Sequence, residues 1–127
     1  MINKNANHSI QERTEEFAIR VIKAYSELNQ RHFDDAGKVL SKQFLRSGTS
    51  IGANCSEAKY AQSTQDFIHK YSIALKEASE TLYWIKIMIK SEVVSKSRFK
   101  SMIEENERII KILTTSIKKL KENNQLE

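Results

Sequence analysis

Some residues of this 127-residue sequence have the types and spacing that hydrolytic chemistry needs. The segment GTSIG at residues 48–52 places a serine between two glycines, as in the nucleophile elbow of α/β hydrolases. That chemistry also needs a strand before the serine, and an acid and a histidine carried by the same sheet. The sequence contains no strand pattern. We therefore interpret Gly48 and Gly52 as small residues, one helical turn apart, that let two backbones pack closely.

Two carboxylates, Glu77 and Glu80, stand three residues apart and share one face of a helix. Inward carboxylates in a helical bundle suggest a di-iron centre, which also requires two Glu-x-x-His motifs. None of the three histidines stands in that context. We predict no metal, no cofactor and no catalytic residue. A structural polar network is favoured over solvated charges or a ligand site, and its members are Arg46, Ser50, Asn54, Glu57, Glu77 and Glu80.

The single cysteine excludes a disulfide framework and any zinc site built from several cysteines. Cys55 has no sequence relation to a histidine, so we interpret it as a small packed residue rather than a nucleophile. A free thiol fits a reducing compartment.

Basic residues outnumber acidic ones by 21 to 16, which gives a formal net charge of +5. Two clusters carry a single sign: Lys96, Arg98 and Lys100, and then Lys118, Lys119 and Lys121. Such clusters are more often solvated helix faces than contacts for the phosphates of RNA or DNA. Self-association would repeat each weak basic patch around an assembly, which would favour nucleic-acid binding.

The elements that position these residues are helical. Proline is absent and only three glycines occur, which excludes turn-rich β architectures. Apolar residues recur at alternating spacings of four and three, and Ser9, Asp34 and Ser63 are suitable capping residues. This pattern predicts helices over about 9–30, 34–61, 64–90 and 96–122. Four such helices with short connections predict one all-α domain over residues 1–127, an up-down-up-down antiparallel four-helix bundle.

The second helix contains a segment, residues 46–54, in which two glycines would each cost about 1 kcal/mol relative to alanine. Either a loop joins two short helices there, or one long helix presents a small-residue face. The apolar phase continues without a slip from Leu40 to Ala58, so we predict the single helix.

The third helix has more apolar surface than one core-facing stripe needs. Trp84, Ile87 and Met88 lie off its main stripe, which predicts that this helix is either central in the bundle or covered by another subunit, and we favour the second. In the fourth helix, Asn106 is the one polar residue of the apolar stripe, a position that often fixes register. The extra apolar surface of the third helix leads us to expect a homo-oligomer.

No apolar stretch follows Met1, and the longest nearly apolar run, residues 82–89, is interrupted by Lys86. A membrane span needs about 20 apolar residues. We expect a cytoplasmic protein with no membrane association.

Residues 44–58, FLRSGTSIGANCSEA, and residues 74–84, ALKEASETLYW, resemble the four-helix-bundle family of 23S ribosomal RNA intervening-sequence proteins. The resemblance implies a left-handed bundle that assembles into a homopentameric ring in the bacterial cytoplasm. Neither motif is an enzymatic signature. A related branch, the accessory variability proteins of diversity-generating retroelements, resembles a basic pentamer that binds nucleic acid and a reverse transcriptase.

We accordingly expect a non-enzymatic, self-assembling bundle that binds RNA or DNA electrostatically, with no small-molecule substrate. The alternative is a protein–protein scaffolding oligomer with no nucleic-acid role. A metal or small-molecule enzyme using Glu57, Glu77 and Glu80 is a distant third.

Overall fold

The computed structural model of the protein describes residues 9–31 and 34–126, and these contain four α-helices and no β-strand. Helix α1 spans Ile10–Leu28, α2 spans Asp35–Ala58, α3 spans Thr64–Lys90 and α4 spans Lys96–Leu126. The first two helices end earlier than predicted because the chain turns there, with N–H groups bonded three residues back at residues 30 and 60. The last helix continues four residues beyond its predicted end.

Each of the first three helices begins at a side chain that caps it. The Ser9 hydroxyl accepts from the Glu12 N–H at 3.1 Å, and an Asp34 oxygen accepts from the Gly37 N–H at 2.9 Å. Ser63 does the same at the start of α3. Such bonds satisfy amides that have no partner within the helix, so the three predicted caps are confirmed.

Consecutive helices run antiparallel: Gly48 and Gly52 of α2 meet Val21 and Thr14 of α1 in reverse order, Asn106 of α4 reaches back to Ala78 of α3, and ion pairs show the same for α2 and α3. Arg46 lies beside Glu80, whereas Glu57, three turns later in α2, lies beside Lys70, earlier in α3. Helix α4 packs against both α3 and α1 and closes the bundle. The predicted all-α, up-down-up-down four-helix bundle is confirmed for the described residues.

Helices α1 and α2 approach closely where α2 carries its glycines. A Cβ on Gly48 would be 2.8 Å from two carbons of Val21, and one on Gly52 would be 3.0 Å from the main-chain oxygen of Thr14. The glycines lie inside one continuous helix. Both the single long helix and the close-packing interpretation of the glycines are thus confirmed.

The core runs the length of the bundle and draws on all four helices. Its largest fully buried apolar side chains are Phe17, Phe44, Ile51, Ile85, Met88, Ile109 and Leu113. Within the described residues, no helix is both long and apolar enough to cross a membrane.

The buried stripe of α3 differs from the predicted one. Thr81 and Met88 are fully buried, while Ile87 and Trp84 are only partly covered. The expectation that Met88 lies off the core was wrong. Thr81, whose hydroxyl contacts Ser47 of α2, occupies the core side of α3. The buried positions then continue at Ile85 and Met88.

The connection from α3 to α4 contains Glu92 with a φ of 64°, in the left-handed region. Its N–H bonds to the carbonyl of Ile89 at 3.0 Å, and the Val93 N–H bonds to the carbonyl of Met88 at 2.9 Å. These two bonds form a Schellman motif, in which the residue with positive φ is usually glycine.

Candidate functional site

Arg46 of α2 lies between two carboxylates of α3. Its guanidinium donates to Glu77 Oε2 at 3.0 Å and also to Glu80 Oε2. The Glu77 side chain is only 12% exposed, whereas that of Arg46 is 49% exposed. This cluster joins α2 to α3 across their outer edge and keeps a formal net charge of −1.

Two further side chains complete the cluster. Gln43 Oε1 accepts from Arg46 Nε at 3.3 Å, and the Trp84 indole donates to Glu80 Oε2 at 3.2 Å. Tyr83 packs its ring edge-on against Trp84, with ring centroids 5.1 Å apart. The cluster therefore has an aromatic border.

The other members of the predicted network lie on the same side of α2 but bond elsewhere. The Ser50 hydroxyl donates to the Arg46 carbonyl at 2.6 Å, and the Asn54 amide donates to the Ser50 carbonyl at 2.9 Å. Short polar side chains inside a helix commonly return to the carbonyl four residues earlier. Glu57 pairs with Lys70 at 3.7 Å. The structure thus brings Arg46, Glu77 and Glu80 together. Ser50, Asn54 and Glu57 do not join that cluster.

A buried polar contact that the sequence did not indicate joins the same two helices. Thr81 Oγ1 donates to Ser47 Oγ at 2.9 Å, and both side chains are fully buried. Asn106 of α4 is fully buried as well, and its amide donates to the Ala78 carbonyl at 2.9 Å. Spacing alone places such residues in the stripe, but it does not show which of them meet.

Neither Ser50 nor Cys55 of α2 has the surroundings of a nucleophile. Ser50 lies within a helix and bonds to its own main chain. Burial raises the pKa of the Cys55 thiol to about 11, although a hydrogen bond with Thr14 opposes the shift. The thiol is therefore protonated at neutral pH. Among the described residues, no group of three or more His, Cys, Asp and Glu side chains is placed to hold a metal ion.

The first basic cluster of α4 divides between two sides of the helix. Lys96, Arg98 and Lys100 are all exposed. Arg98, however, is ion-paired with Glu27 of α1. Lys96 and Lys100 are therefore the members of this cluster that form no salt bridge with a described residue.

The second basic cluster lies at the other end of α4. Lys118, Lys119 and Lys121 are exposed, and none forms a salt bridge with a described residue. Lys119 is 18 residues, or five full turns, after Ser101 and so shares its face toward α1. Lys118 is likewise five turns after Lys100. The two clusters thus repeat the same division between faces.

A cleft of about 250 Å³ opens between α1 and α4. Arg13 crosses it and donates to both oxygens of Glu105 at 3.1 Å. Arg20 donates to the Ser101 hydroxyl at 3.0 Å. Three arginines and three glutamates line this cleft, so their formal charges cancel.

The model of the 23S rRNA-intervening sequence protein family matches residues 6–115, which include three complete helices and most of α4. The chain belongs to this family. The resemblance of residues 44–58 and 74–84 to these proteins is thereby confirmed. Arg46, Glu77 and Glu80, the residues joined across α2 and α3, lie within those two segments.

The family assignment agrees with a solved structure from Bacteroides thetaiotaomicron, described as a protein of unknown function from the S23 ribosomal protein family. The two chains are 44% identical, and the match covers 87% of this chain and 99% of that one, with a TM-score of 0.78. No curated protein matches this member of the 23S rRNA-intervening sequence family.

Proposed function

We propose that this protein is a non-enzymatic, self-assembling bundle that binds RNA or DNA through contacts with phosphates. One observation carries the proposal: all six cationic side chains of the two α4 clusters are exposed, and among the described residues only Arg98 of them is ion-paired. The formal net charge of +5 adds long-range attraction for a polyanion. A cytoplasmic location is part of the proposal, and the free thiol of Cys55 supports it.

Assembly into a homopentameric ring is the second part of the proposal. The resemblance to the intervening-sequence proteins implies a pentamer, and α3 carries apolar surface beyond its core stripe. Tyr83 is 55% exposed, and Trp84 and Ile87 are only half-buried. Val39 of α2 is 58% exposed. A ring would cover such side chains and would present five copies of each basic cluster.

Light scattering behind size exclusion, with and without a structured RNA and a DNA duplex, tests both parts. We expect a mass near five times 14.7 kDa. At low salt the peak should shift with nucleic acid, and the shift should disappear at moderate salt because counterion release drives phosphate contacts. A monomer across a wide concentration range would overturn the assembly. A complete lack of shift at low salt and micromolar protein would overturn nucleic-acid binding.

A scaffolding oligomer that binds protein partners alone is the alternative function. The exposed apolar side chains favour it, since exposed apolar patches often mark protein–protein contacts. A pentamer that ignores nucleic acid at every salt concentration would favour this alternative. Variants Tyr83→Ser and Val39→Ser would then test which apolar positions the subunits cover.

A further inference from the structure

Lys96 and Lys100 of α4 lie on the border with α3. Arg98, midway between them, faces α1, where it pairs with Glu27. A step of two residues turns a helical side chain by about 200°, so both lysines lie on the opposite side of α4 from Arg98. Because α4 packs against α1 and α3, the side turned away from α1 is the outer surface of α4 that flanks α3.

Lys86 and Lys90 of α3 lie on the same border. Ile85 is fully buried, so its two sequence neighbours flank the core on opposite sides. Trp84 lies on the side of α2, since its indole bonds to Glu80, which is itself ion-paired with α2. Lys86 is therefore on the side of α4, and Lys90 follows it one turn later.

These four residues form a lysine quartet where α3 and α4 meet. Lys90 ends α3 and Lys96 begins α4, with Lys86 and Lys100 about one turn further along each helix. All four are exposed, and none makes a salt bridge with a described residue. The quartet thus concentrates four positive charges from two helices, beside the acidic Glu92 of the connection between them.

The positive surface continues along α4. Lys118 is five turns after Lys100, and Lys111 and Lys121 lie close to the same line. Glu104 and Glu107 are acidic residues on that line, four and seven residues after Lys100. At 1.5 Å per residue, the 25 residues from the start of α4 to Lys121 span ~38 Å. One turn of B-form DNA measures about 34–36 Å, so the stripe matches that length.

We propose that the lysine quartet is the principal phosphate-binding site, and that its occupant is the sugar–phosphate backbone of an RNA or DNA duplex. The inference rests on the proposed function and names the surface that performs it. A lysine ammonium is a mobile point charge that suits phosphates without reading bases. Recognition through these contacts depends on phosphate spacing and salt, with little sequence preference.

Lys86 and Lys90 distinguish this surface from the α4 clusters alone. In the sequence each lysine stands among apolar residues, in WIKIMIK at residues 84–90, so no basic cluster is apparent there. Their participation follows from the packing of α3 against α4. The double variant Lys86→Gln/Lys90→Gln therefore tests the inference directly.

Lys38→Gln/Lys42→Gln in α2 is the matched control. Both of its lysines are exposed, four residues apart on one helix, and free of salt bridges with the described residues. It removes the same charge from α2, a helix that contributes none of the four quartet lysines. Each variant is first checked by circular dichroism and light scattering. Affinity for 20-base-pair RNA and DNA duplexes of one sequence is then measured against salt concentration.

We expect the α3 double variant to bind at least 10-fold more weakly than wild type. Its slope of log affinity against log salt should fall by about 1.8 for DNA, close to 0.9 for each lost contact. The control should change affinity less than 2-fold. The variant Lys86→Arg/Lys90→Arg, which keeps both charges, should bind about as tightly as wild type. Equal losses in both Gln variants, or a loss in neither while wild type binds, would overturn the quartet alone. A wild type that binds neither duplex at low salt would overturn the proposed function itself. The duplex that binds more tightly through the quartet identifies the preferred nucleic acid.

Discussion

Gly48 of α2 lies so close to Val21 of α1 that a methyl group on the glycine would stand 2.8 Å from both γ-carbons of the valine. Val21 is fully buried and β-branched, so its side chain has little freedom to move away. The small-residue segment of α2 thus sets how closely the first two helices pack.

Gly48→Ala should destabilise the protein although alanine is the better helix former. The gain in helix propensity is about 1 kcal/mol, whereas overpacking a core costs roughly 1–3 kcal/mol. We expect a net loss of up to about 2 kcal/mol in the free energy of unfolding, measured by urea denaturation. In a Val21→Ala background the same substitution should cost less, because both γ-carbons are gone and only the Cβ, 3.2 Å away, remains. An equal cost in both backgrounds would contradict the contact.

Asn106→Leu should stabilise the bundle. Asn106 Oδ1 is buried with no hydrogen-bond partner among the described residues, and an unsatisfied buried polar atom costs roughly 1–3 kcal/mol. The leucine has a similar volume, and the Ala78 carbonyl loses only a second donor. We expect the thermal midpoint to rise, with Asn106→Ala as a control that lowers it by leaving a cavity. A lower midpoint for the leucine variant would indicate that Oδ1 is satisfied.

Glu92→Gly should also stabilise the protein. A non-glycine residue with a φ of 64° pays a backbone penalty of roughly 1–2 kcal/mol, which glycine avoids while losing more entropy on folding. We expect a net gain of about 0.5–1 kcal/mol by chemical denaturation. Glu92→Gln removes the same charge and keeps the backbone penalty, so it should stay near wild type. If the two variants gained equally, charge rather than backbone strain would be responsible.

Because burial raises the pKa of the Cys55 thiol, we predict that the free energy of unfolding decreases at high pH. The pKa of this thiol is about 11 in the folded protein, against an ordinary value of 9.0. The folded state holds this proton more tightly than the unfolded state does. The stabilisation that results is fully present below pH 9 and is lost as the pH rises from 9 through 11. The full loss is about 2–3 kcal/mol, near 1.4 kcal/mol per unit of pKa difference.

The comparison with Cys55→Ala isolates that contribution from the other groups that titrate at high pH. Unfolding free energies of the two proteins are measured between pH 7 and 11. The gap between wild type and variant should narrow above pH 9. A constant gap would mean that the thiol ionises as freely in the folded protein as in the unfolded one.

The sequence by itself determined the number, type and order of the helices. Alternating apolar spacings and capping side chains are local, and residues such as Ser9 and Ser63 act within one helical turn. The continuous α2 followed from the same logic, because the apolar phase passes through Gly48 and Gly52 without a break.

Only the tertiary structure decided which polar and charged side chains meet. Arg46 joins Glu77, whereas Ser50 turns back to its own main chain, and spacing along α2 does not separate the two cases. The basic clusters show the same limit. Arg98 and Lys100 are two residues apart, yet they lie on opposite sides of α4, because two residues turn a helix by more than half a circle. Contacts between helices depend on packing angle and register, which no single segment of sequence contains.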